Sequence, residues 1–401
     1  MRTYIYKLKD ETGKTLYGFS EAYNKKDLKK RLRHSSFFYI SAEIADRKRI
    51  FNSKVDLESL LVFTRRLSSL IEAGIPILTA MHILWRQTED KTIQLVISHM
   101  RTRLEEGKKI SIALDDFPKM FPPMYRAMIS VAEKAGGLVV ILKRLTKYLE
   151  YQKLFITRTK KATLYPTIVI VFAFIILVCM FAFVVPKFQT VLTQLHVELP
   201  LITRVVLGLS QFMRSPLFIA GTFLIVAVAY CLYKIFKKDP KFAQTVDYYK
   251  LKIPFVGKIL YALSLGRFVR SLCILVGAGL PIVESFEVAK TTTSNQYVID
   301  GISQAQKKIE RGQSLYESFK EVKLFPVMFI EMVGVGESSG SIVQSLENLA
   351  DHFDEEIEYK QNKFFTLLEP FLIIFVGVIV IITLLAIYMP IFSLWSGLLG
   401  K

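Results

Sequence analysis

Three stretches of the chain carry no charged residue, and they constrain the fold more than any other feature. They are Ala162 to Pro186, Ser215 to Tyr233 and Pro370 to Gly400. Because a helix rises about 1.5 Å per residue, roughly 20 apolar residues cross a hydrocarbon core of about 30 Å. Each stretch is therefore predicted to span a membrane. The second is the weakest prediction, since a buried core helix would also fit it.

The basic residues around these stretches predict the orientation of the chain, because Lys and Arg favour the cytoplasmic side. Lys160 and Lys161 directly precede the first stretch, and Lys234, Lys237 and Lys238 follow the second. The connection between them is poor in charge. We expect a membrane protein of several spans, with its N-terminus in the cytoplasm and its C-terminus on the opposite side.

The chain contains an internal repeat that includes two of the predicted spans. The segment from Phe63 matches the segment from Phe268 at an offset of 205 residues, and the offset becomes 204 after one deletion. The match continues into the membrane, where Pro166 corresponds to Pro370. Each repeat is thus a soluble domain followed by a span. The second span is an additional element, which returns the second domain to the cytoplasm.

Within each repeat, apolar residues recur with helical spacing, which predicts two helical bundles. Gly74 followed by Pro76, and Gly279 followed by Pro281, indicate a helix that stops at a left-handed cap and a second helix with proline in its first turn. Pro166 and Pro370 are likewise assigned to the first turns of the spanning helices, as span-entry positions.

The N-terminal residues alternate between polar and apolar around a Glu-Thr-Gly-Lys turn, which predicts a β-hairpin. The fold class expected is an all-α membrane protein with a small N-terminal β-containing module, two repeated cytoplasmic helical-bundle domains and three transmembrane helices. The predicted segments are a module at 1–52, the repeats at 53–161 and 234–369, the spans at 162–186, 215–233 and 370–392, and a periplasmic loop and tail at 187–214 and 393–401.

Residues 1–161 hold 32 Lys and Arg against 17 Asp and Glu, a net charge of +15, whereas residues 234–369 hold 17 of each. A nucleic-acid partner would explain the basic half, but no aromatic ladder or binding motif accompanies the charge. We favour contact with anionic membrane lipid and expect no nucleic-acid partner.

No sequence motif for catalysis, nucleotide binding or metal binding accompanies this architecture. The chain has no GxxxxGK[ST], HExxH or GxSxG, and its five histidines and three cysteines lack ligand spacing. Gly334 to Gly340 only superficially resembles a phosphate loop, because it has neither the lysine nor a preceding strand. We expect a protein that is not an enzyme, with no cofactor and no metal.

A Glu-x-x-Gly pattern recurs in both repeats, at Glu133 with Gly136 and at Glu337 with Gly340. One interpretation is structural: the glutamate ends one helix near the positive start of the next, and the glycine supplies the turn. The other is a contact site for another subunit, a cytoplasmic partner or a cation. Glu369, directly before the third span, also has two interpretations: helix capping at the interface, or a polar contact to another span.

Several short motifs together resemble the inner-membrane platform family shared by type II secretion (the F component) and type IV pilus assembly (the inner-membrane core protein). They are EAGIPIL at Glu72, LKIPFVGKI at Leu251, GAGLPIVES at Gly277, GVGESSGSI at Gly334, LEPFLIIFVG at Leu368 and AIYMPIF at Ala386. The resemblance covers nearly the whole chain. One departure is Ala132, where the family usually has a glycine before the glutamate.

The resemblance implies a homo-oligomer in the bacterial inner membrane, at the base of an assembly machine, with its N-terminus in the cytoplasm and its C-terminus in the periplasm. Its cytoplasmic domains would contact a hexameric assembly ATPase, and its membrane part would pass pilin or pseudopilin subunits into a filament beside other inner-membrane components. Glu133, Gly136, Glu337, Gly340 and Glu369 are the candidate contact residues. The alternative is a small membrane transporter or a receptor-like scaffold unrelated to filament assembly, although three spans without charge offer a transporter few polar groups.

Overall fold

The computed structural model describes residues 2–11, 13–32, 38–44, 55–194, 201–215 and 240–399, with a few single positions between 220 and 230. The chain divides into two compact units, one of Met1–Ile156 with Leu263–Asp354 and one of Thr157–Ala262 with Glu355–Lys401. The first unit contains the N-terminal module and most of both repeats. The second contains the predicted spans.

The predicted hairpin is confirmed and belongs to a small antiparallel sheet. Strands β1 (Arg2–Lys9) and β2 (Thr15–Ala22) pair around the turn, and β3 (Phe38–Ile44) pairs with the other edge of β1. Helix α1 (Lys25–Leu32) lies between β2 and β3 in sequence.

The free edge of β2 is covered by the first repeat. The amide of Phe19 donates to the hydroxyl of Ser98 at 3.1 Å, and the amide of Tyr17 donates to the side chain of Gln94 at 3.1 Å. The indole of Trp85 donates to the Tyr17 carbonyl at 2.7 Å. The edge amides of the strand are thus satisfied by helix side chains, as buried backbone groups require.

The two repeats have matching helices. In the first repeat they are α2 (Leu57–Glu72), α3 (Ile77–Gln87), α4 (Lys91–Glu105), α5 (Ile110–Asp115), α6 (Pro123–Ala135) and α7 (Leu138–Cys179). In the second they are α11 (Val256–Gly277), α12 (Ile282–Ala289), α13 (Gln296–Glu310), α14 (Leu315–Lys320), α15 (Val327–Ser338) and α16 (Ile342–Leu399). Helix α10 (Pro240–Lys252) precedes the second set.

Corresponding aromatic residues form the two cores. Phe63 and Phe121 lie 6.2 Å apart between ring centroids in the first repeat. Their counterparts Phe268 and Phe325 are also buried, and both belong to a larger aromatic cluster centred on Phe319. The apolar positions that match in sequence therefore build equivalent cores, which confirms the helical repeat.

The predicted glycine breaks are present in both copies. Gly74 and Gly279 have φ of +80° and +90°, and the amide after each donates to a carbonyl five residues earlier, at 3.1 Å in both cases. This is the hydrogen-bond pattern of a helix ended by a left-handed glycine. Pro76 and Pro281 lie at the N-cap of the next helix, one residue before the first turn in which they were predicted.

Two long helices contain the first and third predicted spans. Helix α7 is followed by a π-helical segment (Met180–Val184) and by α8 (Val185–Gln194), while α16 continues without a break to Leu399. The predicted second span, 215–233, lies largely outside the described residues. The connection predicted as a loop contains α8 and also α9 (Leu201–Arg214).

Three described helical segments are long and apolar enough to cross a membrane: Leu138–Phe188, Val256–Gly277 and Ile342–Pro390. The apolar window of Val256–Gly277 is 56% buried, against 11% and 17% for the other two. Phe268 and Leu272 of that segment lie in the core of the second repeat. Its apolar character is therefore explained by packing, and the other two segments retain lipid-facing surfaces.

The assignment of Pro166 and Pro370 to the first turns of spanning helices is wrong. Both prolines lie inside continuous helices, which begin at Leu138 and Ile342. A proline removes one backbone hydrogen bond, but membrane helices tolerate it where nearby hydroxyls satisfy freed carbonyls. Pro166 leaves the Ala162 carbonyl without its usual amide donor. The neighbouring Thr163 and Thr167 hydroxyls donate to other carbonyls of this segment, at 2.7 to 3.0 Å, and so do not replace the missing bond.

Candidate partner-contact sites

The first Glu-x-x-Gly element binds the start of a short helix within its own repeat. Glu133, on α6, accepts hydrogen bonds from the amide of Ile110 at 2.5 Å and from the amide of Ser111 at 3.2 Å. The hydroxyl of Ser111 also donates to this carboxylate. A carboxylate at this position satisfies amides that have no partner within α5 and is favoured by the positive end of the helix.

The second element has the same geometry. Glu337, on α15, accepts from the amides of Leu315 and Tyr316 at 2.7 and 3.0 Å, at the start of α14. In both repeats the helix that is capped lies about 22 residues before the glutamate in sequence. The structural interpretation placed each glutamate at the start of the helix that follows it. In the structure, each glutamate instead binds the start of a helix that precedes it in sequence, α5 or α14. A contact with another protein stays a prediction for both residues.

The two caps differ in their neighbours. The N-cap of α14 is Ser314, whose hydroxyl accepts from the amide of Glu317 at 3.1 Å. The N-cap of α5 is Lys109, whose side chain makes no capping hydrogen bond. Helix α5 therefore depends on Glu133 more than α14 depends on Glu337.

The glycines of the pattern make the turns into the long helices. Gly136 has φ of +77° and Gly340 has φ of +69°, so each adopts a conformation that other residues rarely take. Leu138 and Ile342 then begin the helices that contain the predicted spans. The Glu-x-x-Gly elements thus lie at the points where the span-bearing helices begin.

The family glycine before the glutamate has a packing role in the second repeat. A Cβ added to Gly336 would lie 2.6 Å from the Ser345 hydroxyl and 3.1 Å from the Ile342 Cα atom. These distances are closer than ordinary contacts. The first repeat holds Ala132 at the corresponding position, and that side chain is buried. The departure from the family pattern therefore reflects a different local packing.

A cavity in the first repeat joins two of the predicted features. It is lined by the Gly74 break and by Glu133, with the aliphatic residues Ile71, Ile77 and Leu104 around them. Lys108 and Lys109 also line it. The Glu133 carboxylate already binds the α5 amides. Across the described residues, no group of three or more His, Cys, Asp or Glu is placed to bind a metal.

Glu369 contacts the other long helix. The hydroxyl of Tyr165 donates to Glu369 Oε1 at 2.9 Å. Of the two interpretations, this geometry favours a polar contact to another spanning segment. Tyr165 and Glu369 directly precede Pro166 and Pro370, which are corresponding prolines of the two repeats.

An ion pair is repeated in both copies, and sequence analysis missed it. Arg65 donates to Glu150 at 2.5 Å, and its counterpart Arg270 donates to Asp354 at 2.5 Å and to Asp351 at 2.6 Å. The signal available in the sequence was the shared offset of the charged residues, 205 for the arginines and 204 for the acids. Arg65 is more than half exposed, whereas Arg270 is 15% exposed.

The second copy of the ion pair joins the two repeats. Tyr151, from the first repeat, donates to Asp354, and the Arg270 guanidinium lies 4.9 Å from the centroid of its ring. Burial, and then the hydrogen bond and charge of Asp354, raise the pKa of Tyr151 above its usual value. The phenol therefore stays protonated and donates. We call Tyr151, Arg270, Asp351 and Asp354 the junction cluster.

The fold and these sites define a membrane protein with a duplicated helical domain, in which each copy leads into an apolar helix. The family model described as "Type II secretion system (T2SS), protein F" matches residues 63–186 and 268–390. These limits coincide with the start of the sequence repeat at Phe63 and Phe268, and the two matches end at corresponding prolines, Pro186 and Pro390. The chain belongs to this family.

Relatives from both kinds of machine are similar over nearly the whole chain. A type IV pilus assembly protein PilC of Thermus thermophilus is 31% identical over 98% of both chains. A type II secretion system protein F of Vibrio cholerae is 29% identical over 98% of both chains. A type II secretion system protein F of Pseudomonas aeruginosa is 30% identical over 86% of this chain and 84% of its own length.

Proposed function

We propose that this chain is the inner-membrane platform of a type II secretion or type IV pilus assembly machine. The observation that carries the proposal is the similarity to pilus assembly and secretion proteins along nearly the full length of both chains. The transporter and unrelated-scaffold alternatives have no comparable support. In this role the protein makes and breaks no covalent bond and acts as a scaffold for the other components.

The continuity of the long helices supports a mechanical role. Each helix begins at a Glu-x-x-Gly turn and contains a predicted span, so the soluble repeat and the membrane segment share one element. In the proposed mechanism, a cytoplasmic ATPase moves the repeats, and the helices carry that motion to the membrane, where pilin or pseudopilin subunits enter the filament. The platform is a homo-oligomer and also contacts other inner-membrane components and lipid.

Helix α15 supplies a candidate surface for the ATPase or another cytoplasmic component. Val327, Met328 and Val335 on this helix are 75%, 45% and 63% exposed. Val327 and Val335 are eight residues apart and so lie on the same face of the helix. Glu331 lies between them, about one turn from each. Exposed apolar residues grouped on one helix face are typical of protein contacts.

Photo-crosslinking from native membranes tests the proposal. A photoreactive amino acid replaces Val335, and the matched control carries it at Val131, the corresponding position in the first repeat. Recovery of an assembly ATPase with the first variant, together with pilin-like subunits in the same complex, supports the platform role. Recovery of neither component, with a solute-transport complex in their place, would overturn it. Recovery through Val131 alone would retain the role and move the contact to the first repeat.

A fusion experiment tests the proposed topology. A reporter that is active only in the periplasm is fused after Lys401, and a second reporter that is active only in the cytoplasm is fused before Met1. If both reporters are active, the N-terminus lies in the cytoplasm and the C-terminus lies in the periplasm. Inactivity of the C-terminal reporter, with full-length protein present in the membrane, contradicts the three-span arrangement.

A further inference from the structure

Helix α9 packs one face against both span-bearing segments, near Phe181 and Val185 in the first and Ala386 in the third. Its buried residues Val206 and Leu207 form an apolar cluster with Phe181, Val185 and Ala386. Two polar residues on the same face, Thr203 and Ser210, are also buried, at 1% and 2% exposure. They are seven residues apart, so they lie on the same side of the helix.

Thr203 satisfies a carbonyl that a proline leaves without a donor. Its hydroxyl donates to the Ala386 carbonyl at 2.8 Å. In an α-helix the amide four residues later would bind this carbonyl, but that residue is Pro390, which has no N–H. Helix α16 continues through this position, so the hydroxyl replaces the missing donor.

Ser210 does the same for the first long helix, with a spacing that differs by one residue. Its hydroxyl donates to the Phe181 carbonyl at 2.7 Å. Phe181 lies in the π-helical segment, where the Val185 amide donates to the Met180 carbonyl, five residues earlier. At this spacing the donor for Phe181 would be Pro186, which again has no N–H. One helix therefore completes both proline-interrupted spans.

The opposite face of α9 is apolar and largely exposed. Leu201, Val205 and Phe212 are 79%, 68% and 58% exposed, and they recur at helical spacing. The polar residues Arg204 and Gln211 lie together on one flank of the helix, between the covered and the uncovered faces. A helix with an apolar face and a polar flank on one side is the pattern of a helix at a membrane interface.

The position of the Ala386 carbonyl along the third span indicates how deep α9 lies in the membrane. The charge-free stretch of the third span begins at Pro370, and Ala386 lies 16 residues beyond that point, or about 24 Å along the helix, within a hydrocarbon core of about 30 Å. A segment bonded to this carbonyl lies beside the outer part of the spans. We propose that α9 is embedded in the membrane leaflet at the span exits, with Leu201, Val205 and Phe212 against lipid acyl chains and Arg204 toward the headgroups. This inference goes beyond the proposed function and does not depend on it.

Spin labelling tests the proposal on the full-length chain in vesicles of phosphatidylethanolamine and phosphatidylglycerol. The three native cysteines are replaced by alanine, and a nitroxide is attached through Val205→Cys or through the flank control Arg204→Cys. Collisions with oxygen, which concentrates in hydrocarbon, are compared with collisions with a water-soluble nickel chelate. We expect oxygen to dominate at 205, and the ratio to shift toward the nickel chelate at 204.

Two results of the spin-label experiment overturn the inference. Dominance of the nickel chelate at 205 places α9 in water, and a label at 205 reached by neither reagent shows that protein, such as a second copy of the chain, covers this face. Because cysteine removal can disturb folding, a second measurement keeps all native cysteines. Phe212→Trp is quenched by lipids brominated on the acyl chain if α9 is embedded, beyond the quenching of the unmodified chain. Equal quenching of both proteins also contradicts the proposal.

Discussion

Tyr165 donates its phenolic hydrogen to Glu369 at 2.9 Å, and the two residues are 204 positions apart, the offset that relates the second part of the repeats. Corresponding positions on the two span-bearing helices therefore contact each other directly. Such contacts arise where two equivalent elements pack around a local two-fold axis. The different residue types at the two positions allow one to donate and the other to accept.

A double-mutant cycle tests this contact. Tyr165→Phe removes the donor, Glu369→Gln keeps an acceptor without its charge, and the double variant combines them. We expect each single variant to lower the thermal unfolding midpoint and the double variant to lose less than their sum, because both changes remove one shared interaction. Tyr359→Phe, at an exposed tyrosine of the same helix, is the control and leaves the midpoint unchanged. Strict additivity would show that the contact contributes nothing.

The two glutamate caps should differ in strength. Glu133→Ala leaves the α5 amides without a side-chain acceptor and is expected to cost about 1 to 2 kcal/mol of stability, in the upper part of the range of about 0.5 to 2 kcal/mol for loss of a helix cap. Glu337→Ala should cost less, because the Ser314 hydroxyl still caps α14. Thermal unfolding of the purified proteins measures both. Glu133→Gln, which retains an acceptor oxygen, should lie between wild type and Glu133→Ala, and equal losses for the two alanine variants would contradict the asymmetry.

The repeated ion pair provides a matched comparison of burial. Arg270→Ala leaves Asp354 partly buried beside Tyr151 without its cation, and a loss of about 2 to 4 kcal/mol is expected, near the range for breaking a buried pair. Arg65→Ala removes the exposed counterpart and should cost less than about 1 kcal/mol. The readout is the midpoint of thermal unfolding in detergent. If Arg65→Ala lowered stability as much as Arg270→Ala, burial of the ion pair would not explain the stability that it contributes.

Protonation of His82 should lower the stability of the first compact unit. Burial, followed by the charges of Arg101 and Arg86, lowers the pKa of His82 below 6.5, while Glu105 opposes them. Arg101 also donates to His82 Nδ1 at 3.3 Å, which requires that nitrogen to be unprotonated. The unfolded chain therefore binds the proton more tightly, and stability falls as the pH drops below 6.5. Unfolding midpoints between pH 5 and 8 should depend less on pH in His82→Asn than in wild type, and an unchanged slope in His82→Asn would contradict this assignment.

Loss of the α9 hydroxyls should destabilise the second unit. Thr203→Val keeps the shape of the side chain and leaves the Ala386 carbonyl unsatisfied, and Ser210→Ala does the same to the Phe181 carbonyl. Each change is expected to cost about 1 kcal/mol, within the range for hydrogen bonds between membrane helices. Thr167→Val is the control, because its hydroxyl bonds only within its own helix. Equal midpoints for all three variants and wild type would show that the carbonyls find other donors.

The repeat, the hairpin, the glycine breaks and two of the span-bearing segments could be predicted because each leaves a local signal. Periodicity, turn residues and hydropathy all act over a few residues, and the offset between the copies adds a long-range check. The continuity of the helices through Pro166 and Pro370 could not be predicted in this way. Proline favours a first turn in most settings, and tolerance inside a helix depends on hydroxyls and neighbours that only the folded chain brings together.

The candidate contact residues show the same limit. The Glu-x-x-Gly pattern identified the residues and the turn, but the partner of each carboxylate is a helix start about 22 residues earlier, a distance with no local signal. The junction cluster and the α9 hydroxyls were missed for the same reason. Serine and threonine in a connection of low charge are common, and their role depends on which carbonyls lack donors after folding.

The distance between Thr203 and Ser210 along α9 is related to the distance between the two spans that they bind. Seven residues of helix correspond to about 10.5 Å, close to the 8 to 10 Å that separates the axes of packed helices. Because each hydroxyl is bonded to a different span, the length of this short segment sets the gap between the two span ends. The width at the span exits is therefore encoded in the connection between the repeats.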